Sequence, residues 1–239
     1  MSTPARRKGP AGKGQPGDSS LTERAYRALE ELIVTLQLPP GAVVSEAALS
    51  QRTGIGRTPI REALQRLARE HLMVVLPRRG ILVAEVDVRR QLLLLEVRRE
   101  LERLIARSAA KRATDAERKR FAEIAQEMEA AAARGDDIAF MRLDREFNRL
   151  TSEAAHNEFA ETAMAPLHAV SRRFYYIHYQ QVGDLEATAR LHADVARAIA
   201  EGDREKAGQA SDRLLDYIES FTRATVEPDP NPAGRETTR

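Results

Sequence analysis

Gly56-Arg57-Thr58-Pro59-Ile60-Arg61-Glu62-Ala63-Leu64-Gln65-Arg66-Leu67 is the stretch whose reading decides the fold. Ile60, Ala63, Leu64 and Leu67 recur at helical spacing and mark one apolar face. Arg57, Arg61, Gln65 and Arg66 fall on the other sides, where they are free to meet an anion. Thr58 is a favoured N-cap and Pro59 suits the first helical position, so the pattern predicts a helix capped at Thr58. A surface helix with merely solvated arginines shows the same pattern, and this segment alone leaves both readings open.

The flanking residues narrow the choice. Upstream, Ala25, Leu29, Leu32, Ile33 and Leu36 mark an amphipathic helix stopped by Pro39-Pro40-Gly41. Ser45 then caps a short helix running to about Arg52 with Leu49 inward, and Thr53-Gly54-Ile55-Gly56 turns the chain into the arginine helix. Helix, short helix, glycine turn, helix is the helix-turn-helix order. Downstream, Met73-Val74-Val75-Leu76 and Ile81-Leu82-Val83 are two β-rich runs joined by Pro77-Arg78-Arg79-Gly80, a hairpin with a basic tip. The unit reads as a winged helix-turn-helix.

Residues 21–86 resemble the DNA-binding domain of the GntR family of bacterial transcription regulators. The Pro-Gly turn, Ser45-Glu46, the Arg57-Thr58-Pro59-Ile60-Arg61-Glu62-Ala63-Leu64 run and the Arg79-Gly80 wing follow its pattern in order and spacing. The resemblance implies that Arg57 and Arg61 read guanines in the major groove of an operator, a bidentate contact worth ~1–3 kcal/mol of discrimination. It further implies that Ser45 and Thr58 serve the phosphates and that Gly80 lets the wing backbone enter the minor groove. Some relatives carry an arginine where this chain has Ala47, so one contact is expected to be missing.

Composition agrees with that reading. The 239 residues suffice for two modest domains, and the formal net charge of +2 is unevenly spread, with +3 over residues 1–18, +2 over 19–86 and −3 over 87–239. The basic excess lies at the DNA-binding end but is small, so specific contacts and dimer avidity would have to carry affinity. With no cysteine, neither a disulfide framework nor a thiolate metal site is possible. The longest leucine run, Leu92 to Leu95, falls far short of the ~20 apolar residues of a bilayer span, and no apolar leader is seen. The expectation is a cytoplasmic, nucleoid-associated protein with no membrane partner. Residues 1–18, rich in Gly, Pro, Lys and Arg, read as a disordered basic tail, and residues 227–239 as a flexible one.

Residues 87–226 read as helix throughout, with candidate helices near 88–112, 115–134, 136–154, 158–182, 184–201 and 204–224. Thr114 with Glu117 makes a capping box, Gly135 and Gly202 are stops, and Asp203 caps the last helix. Few aromatics and no tryptophan leave a core of Leu, Ile, Val and Ala, packed as an antiparallel bundle. The fold class is therefore mainly α: an N-terminal winged helix-turn-helix (19–86) with a small hairpin wing, then an all-α bundle (87–226).

This second region resembles the FCD domain, the ligand-sensing helical domain of the FadR subfamily of GntR regulators. The likeness rests on Glu96 to Glu102, on Leu143-Asp144-Arg145-Glu146-Phe147 followed by Ala154-Ala155-His156-Asn157, and on His192 ahead of Asp203. It implies a homodimer on a pseudo-palindromic double-stranded DNA operator and a small organic acid as effector. Members commonly hold a divalent metal through an Asp and a His one helical turn apart plus two later histidines, beside which the acid binds. Here Asp144 and His192 match, but Asn148 stands for the first His and Leu214 for the last. Asp144, Asn148 and His192 therefore have three readings: a satisfied polar cluster, an effector pocket without metal, or a weakened zinc-type site. Arg98 is the residue implied to bind the effector carboxylate, its alternative being an intrahelical pair with Glu102. The Phe174-Tyr175-Tyr176-Ile177-His178-Tyr179 run reads first as core or subunit contact, with an effector-lining role as the alternative. Nothing suggests an enzyme: Ser171 and Ser211 lie on no nucleophile elbow, and no HExxH or phosphate loop occurs. A ligand-independent architectural DNA binder with an eroded sensory site is the remaining alternative.

Overall fold

The computed structural model describes residues 20–226. The two tails expected at 1–18 and 227–239 lie outside the described residues. The N-terminal unit runs α1 (Leu21–Val34), β1 (Val43–Val44), α2 (Glu46–Thr53), α3 (Arg57–Arg69), β2 (Met73–Leu76) and β3 (Gly80–Val83). Ala25, Leu29 and Ile33 of α1 bury against Ile60, Ala63, Leu64 and Leu67 of α3 in one apolar cluster, which makes the arginine helix amphipathic in fact as in pattern. Leu36, expected on α1, lies beyond it at φ 60°. The chain has turned there, because the Leu38 N–H folds back onto the Leu32 carbonyl at 2.8 Å and carries Leu38 into the core.

Ser45 caps α2 by accepting from the Ala48 N–H at 3.2 Å, and Gly54 ends it in the left-handed region at φ 68°. The expected cap at Thr58 is corrected: α3 begins at Arg57, with Gly56 as N-cap and no side-chain capping bond. The first bond of the ladder runs from the Ile60 N–H to the Gly56 carbonyl at 3.2 Å, so Pro59, lacking an N–H, sits among donors that have no intrahelical acceptor in any helix. Position on the wheel also misjudged Arg66. It is only part-exposed, turned back over the Tyr26 ring with 3.6 Å from its guanidinium carbon to the ring centroid, and it pairs with Glu23 and Glu70 at 3.0 Å each.

The wing holds three strands, not two. The antiparallel sheet has the order β1-β3-β2, with Val43 opposite Leu82 and Met73 opposite Val83. Val43-Val44 is too short to show an alternating pattern, which hid it in the sequence. Gly80, at φ 108°, opens β3 where a Cβ would come within 2.9 Å of the Val44 carbonyl oxygen. Only glycine lets β1 close on the wing.

Among the described residues six helices follow: α4 (Val88–Arg112), α5 (Asp115–Ala133), α6 (Asp137–Ala154), α7 (Glu158–Val182), α8 (Leu185–Glu201) and α9 (Arg204–Ala224). Their punctuation is as the sequence predicts. Thr114 and Glu117 exchange both bonds of the capping box, Gly135 and Gly202 take positive φ, and Asp203 caps α9. The core is aliphatic and alanine-rich, with Phe121, Phe140, Phe147 and Phe174 among its larger members. The two apolar clusters interlock: Val34 of α1 belongs to the bundle core, while Ala169 of α7 belongs to the winged core.

Candidate functional site

Two places carry the residues singled out by sequence. The first is the outer face of α2, α3 and the wing. Arg57, Thr58 and Arg61 are exposed at the start of α3, with Arg78 and Arg79 exposed at the wing tip. Arg61 grips Glu46 of α2 through its Nε and Nη2 at 2.8–3.1 Å. The hydrogen bonds from Arg61, against a small opposing burial effect, hold the Glu46 carboxyl below its ordinary range, and Arg57 adds to this. Arg61 is thus extended and oriented while still in solvent. Arg57, Arg78 and Arg79 make no ion pair among the described residues. With α3 lacking a side-chain cap, the N–H groups of exposed Arg57 and Thr58 are donors at the positive end of a helix dipole, a ready anion site. The Ser45 oxygen is occupied by the Ala48 N–H, which leaves its hydroxyl hydrogen to donate elsewhere. Gly80 lies at the wing's inner corner against Val44, so its structural role is internal to the sheet.

The second place is a cavity inside the bundle. Arg98 (α4), Asp144 and Asn148 (α6), Ser171 and Arg172 (α7), and His192 (α8) line it together with Phe140, Met141 and Tyr175. It encloses about 30 Å³, room for a water or two and less than any organic acid. Asp144 Oδ1 accepts from Asn148 Nδ2 at 3.1 Å and lies 3.1 Å from His192 Nε2. His192 Nδ1 lies 2.8 Å from the Thr188 carbonyl; a carbonyl can only accept, so Nδ1 carries a proton. The ring packs edge-on between Phe140 and Phe147, with centroids 5.8 and 5.7 Å away.

The three residues read as a metal set are therefore brought together as a polar cluster, with Asn148 donating to Asp144 Oδ1 and His192 facing the same oxygen. They do not fit a tightly held metal. One carboxylate and one imidazole converge, Asn148 offers an amide, and Leu214 sits buried in apolar packing where another imidazole would be needed. Among the described residues no group of three or more His, Cys, Asp or Glu is placed to hold a metal ion.

Arg98 is buried and faces the cavity, yet it takes the intrahelical alternative. Its Nε donates to Glu102 Oε1 at 2.8 Å, its Nη2 also reaches Glu102, and its Nη1 donates to the Ser171 hydroxyl. Burial tends to raise the Glu102 carboxyl, but Arg98 and His168 outweigh it and hold it at about 2. Tyr175 lines the cavity, donating to or accepting from Thr188 Oγ1 at 2.8 Å, whereas Phe174 packs on Phe221. The aromatic run thus splits between core and cavity wall.

Sequence reasoning missed Arg172 altogether. It is 7% exposed, lines the cavity, and pairs with Glu30 of α1. Glu30 is 3% exposed and also lies 2.8 Å from Arg145 Nε. Burial lowers the Arg172 guanidinium to about 10, so it stays charged at neutral pH. The available signal was Glu30 itself, a carboxylate one residue from the buried Leu29 in a helix whose apolar face must dock on something.

Comparison with known proteins places these features. Residues 21–83 match the family described as bacterial regulatory proteins, gntR family, and residues 93–217 match the FCD domain. The HTH-type transcriptional repressor RspR of Escherichia coli (strain K12) is 27% identical over 203 residues, spanning 85% of this chain and 89% of the repressor. The HTH-type transcriptional regulator McbR of the same strain is 28% identical over 136 residues, 57% of this chain and 62% of its own. Among solved structures, E. coli McbR/YncC superposes with a TM-score of 0.75 at 20% identity, covering 88% of this chain and all of that one. A GntR regulator from Rhodococcus sp. RHA1 gives 0.65 at 20% identity over 87% of this chain and all of its own. At these identities the structures attest the fold, and the two matched domains attest the family. An arginine-bearing recognition helix beside a three-stranded wing, joined to a six-helix bundle with a polar cavity, makes this chain a member of the GntR family of transcriptional regulators carrying an FCD domain, and not an enzyme.

Proposed function

We propose that the chain is a sequence-specific regulator that reads its operator through Arg57 and Arg61 and senses a small organic acid in the bundle cavity. The observation that carries the DNA half is the pre-extended Arg61, held by Glu46 beside an unpaired Arg57 at the open start of α3. Ser45 and Thr58, both exposed, would serve the phosphates, and exposed Arg79 would supply a wing contact. Arg57→Ala and Arg61→Ala are each expected to weaken specific binding by ~1–3 kcal/mol and relax base preference. Anisotropy titrations at fixed salt on specific and scrambled duplexes measure this; unchanged discrimination in both variants would refute the assignment.

Support for the sensing half is the convergence of Arg98, Asp144, Asn148 and His192 on one cavity. A cation, if taken up there, would be held weakly for want of a third strong ligand. Support for a homodimer is a stripe on α4, where Leu93, Val97 and Leu104 are about half exposed or more on one face. Two copies would present two recognition helices to a pseudo-palindrome. The small cavity, at about 30 Å³, favours a second reading, a ligand-independent DNA-binding protein. A thermal-shift screen of organic acids and divalent ions separates the two: saturable protection supports the sensor, and none across the screen supports the architectural protein.

A further inference from the structure

Three consecutive residues of α7 each hold a different part of the molecule. Ser171 accepts from Gln91 and Arg98 of α4, Arg172 pairs with Glu30 of α1, and Arg173 donates to the Ala84 carbonyl in the segment leaving the wing. Ser171 and Arg172 also line the bundle cavity. Arg172 borders two further openings as well, both walled in part by α1. One guanidinium therefore touches the inside of the bundle and the DNA-binding unit at once.

The cavity wall carries two guanidinium groups, Arg98 and Arg172, and each is neutralised by a glutamate of the protein, Glu102 and Glu30. Asp144 turns its Oδ2 toward Arg172 Nη1 at 3.7 Å, beyond hydrogen-bond reach, while its Oδ1 takes both Asn148 and His192, so Glu30 is the closer partner of Arg172. We propose that Arg172 is an anion-binding residue of the cavity, giving up Glu30 for a carboxylate of a small dicarboxylate whose other end meets Arg98, and so undocking α1 from α7 and widening a cavity that is too small for the acid while α1 is docked. This rests on the cavity being an effector site and adds the ligand's charge, the residue that recognises it and the route of the signal. The fork of a guanidinium matches a carboxylate in two bonds, so the exchange keeps Arg172 satisfied. Glu30 is left behind, held only by Arg145 across the cleft. Losing Arg172 removes the hydrogen bond on Glu30 Oε1, and with Oε2 already lacking one the buried carboxylate is poorly solvated, which favours movement of α1 toward water. Differential contact with the docked and undocked arrangements is what an effector requires to act.

The test uses the full-length protein with succinate and citrate as probes, followed by calorimetry and by amide exchange over residues 21–34. Saturable binding accompanied by several-fold faster exchange in α1 is expected. Glu30→Gln removes the competing carboxylate, so it should bind the probe several-fold more tightly and show fast α1 exchange without it. Arg172→Lys, which keeps the charge and loses the fork, should bind more weakly. Probe binding that leaves α1 exchange unchanged, with wild-type affinity in Glu30→Gln, would overturn the Arg172 route while the cavity remains a sensor. No binding to wild type or to Glu30→Gln, with α1 exchange equal in both, would overturn the route and the sensory reading together.

Discussion

At Gly80 the backbone sits at φ 108° and the Val44 carbonyl oxygen lies only 2.9 Å from where a Cβ would be. Gly80→Ala is expected to destabilise the protein by ~1–3 kcal/mol through strain and displacement of β1. The shift in denaturation midpoint measures it, and a midpoint unchanged within error would show that the wing relaxes freely. Glu102 makes a second, pH-dependent prediction at this scale. Its folded carboxyl stands at about 2 against an unfolded reference of 4.5. Its stabilising contribution is therefore complete above about 4.5 and is lost as pH falls toward about 2. The stability gap between wild type and Glu102→Gln should be widest at neutral pH and narrow across that window; a gap independent of pH would contradict the assignment. Single residues also show where sequence falls short. Asp144, Asn148 and His192 were legible as a group because helix spacing and the FCD likeness both point to them. Arg172 and Arg66 were not, because a guanidinium on a wheel looks the same whether it faces water or, as these do, a glutamate far away in sequence.

Elements were far easier to read than their partners. The bundle helices declare their ends by local chemistry, such as the reciprocal bonds of Thr114 and Glu117 or Gly202 at φ 76°. Strand β1 has no such local marker. Its two valines pair with Leu82 and Ile81 across a long separation that only the folded sheet creates. The start of α3 was misplaced because Thr58 and Pro59 satisfy capping rules by type, while Gly56 supplies the non-helical geometry by position. Helix α4 carries a prediction of its own. Leu93 and Val97 are more than half exposed, an unusual state for apolar side chains one turn apart. If α4 forms the proposed subunit contact, Val97→Glu shifts a wild-type dimer to monomer in light scattering while leaving circular dichroism intact. A variant that stays dimeric would place the subunit contact elsewhere.

Across the whole molecule, the two apolar clusters share members instead of meeting at a flat boundary. Val34 reaches into the bundle and Ala169 into the winged unit, with the Glu30–Arg172 pair and the Arg142–Glu31 contact at 2.7 Å nearby. A core continuous across α1 and α7 favours one cooperative transition over two. Tyr26, buried in the winged unit, and Tyr175, buried in the bundle, should therefore leave their folded environments at the same denaturant concentration. Two resolved midpoints would mean the units unfold separately.

The Arg173 bond to the Ala84 carbonyl bears on how the chain would meet a protease. A cutting enzyme needs several residues of extended backbone free of the surface, and a strap between units usually offers them. Here the strap is pinned at Ala84, and Asp87 closes it by capping α4 through the Arg89 and Arg90 N–H groups. Trypsin, despite Arg78, Arg79, Arg89 and Arg90 flanking the strap, should nick the wing tip well before it separates the winged unit from the bundle. Whatever loosens α7 from that strap should reverse the order of cleavage.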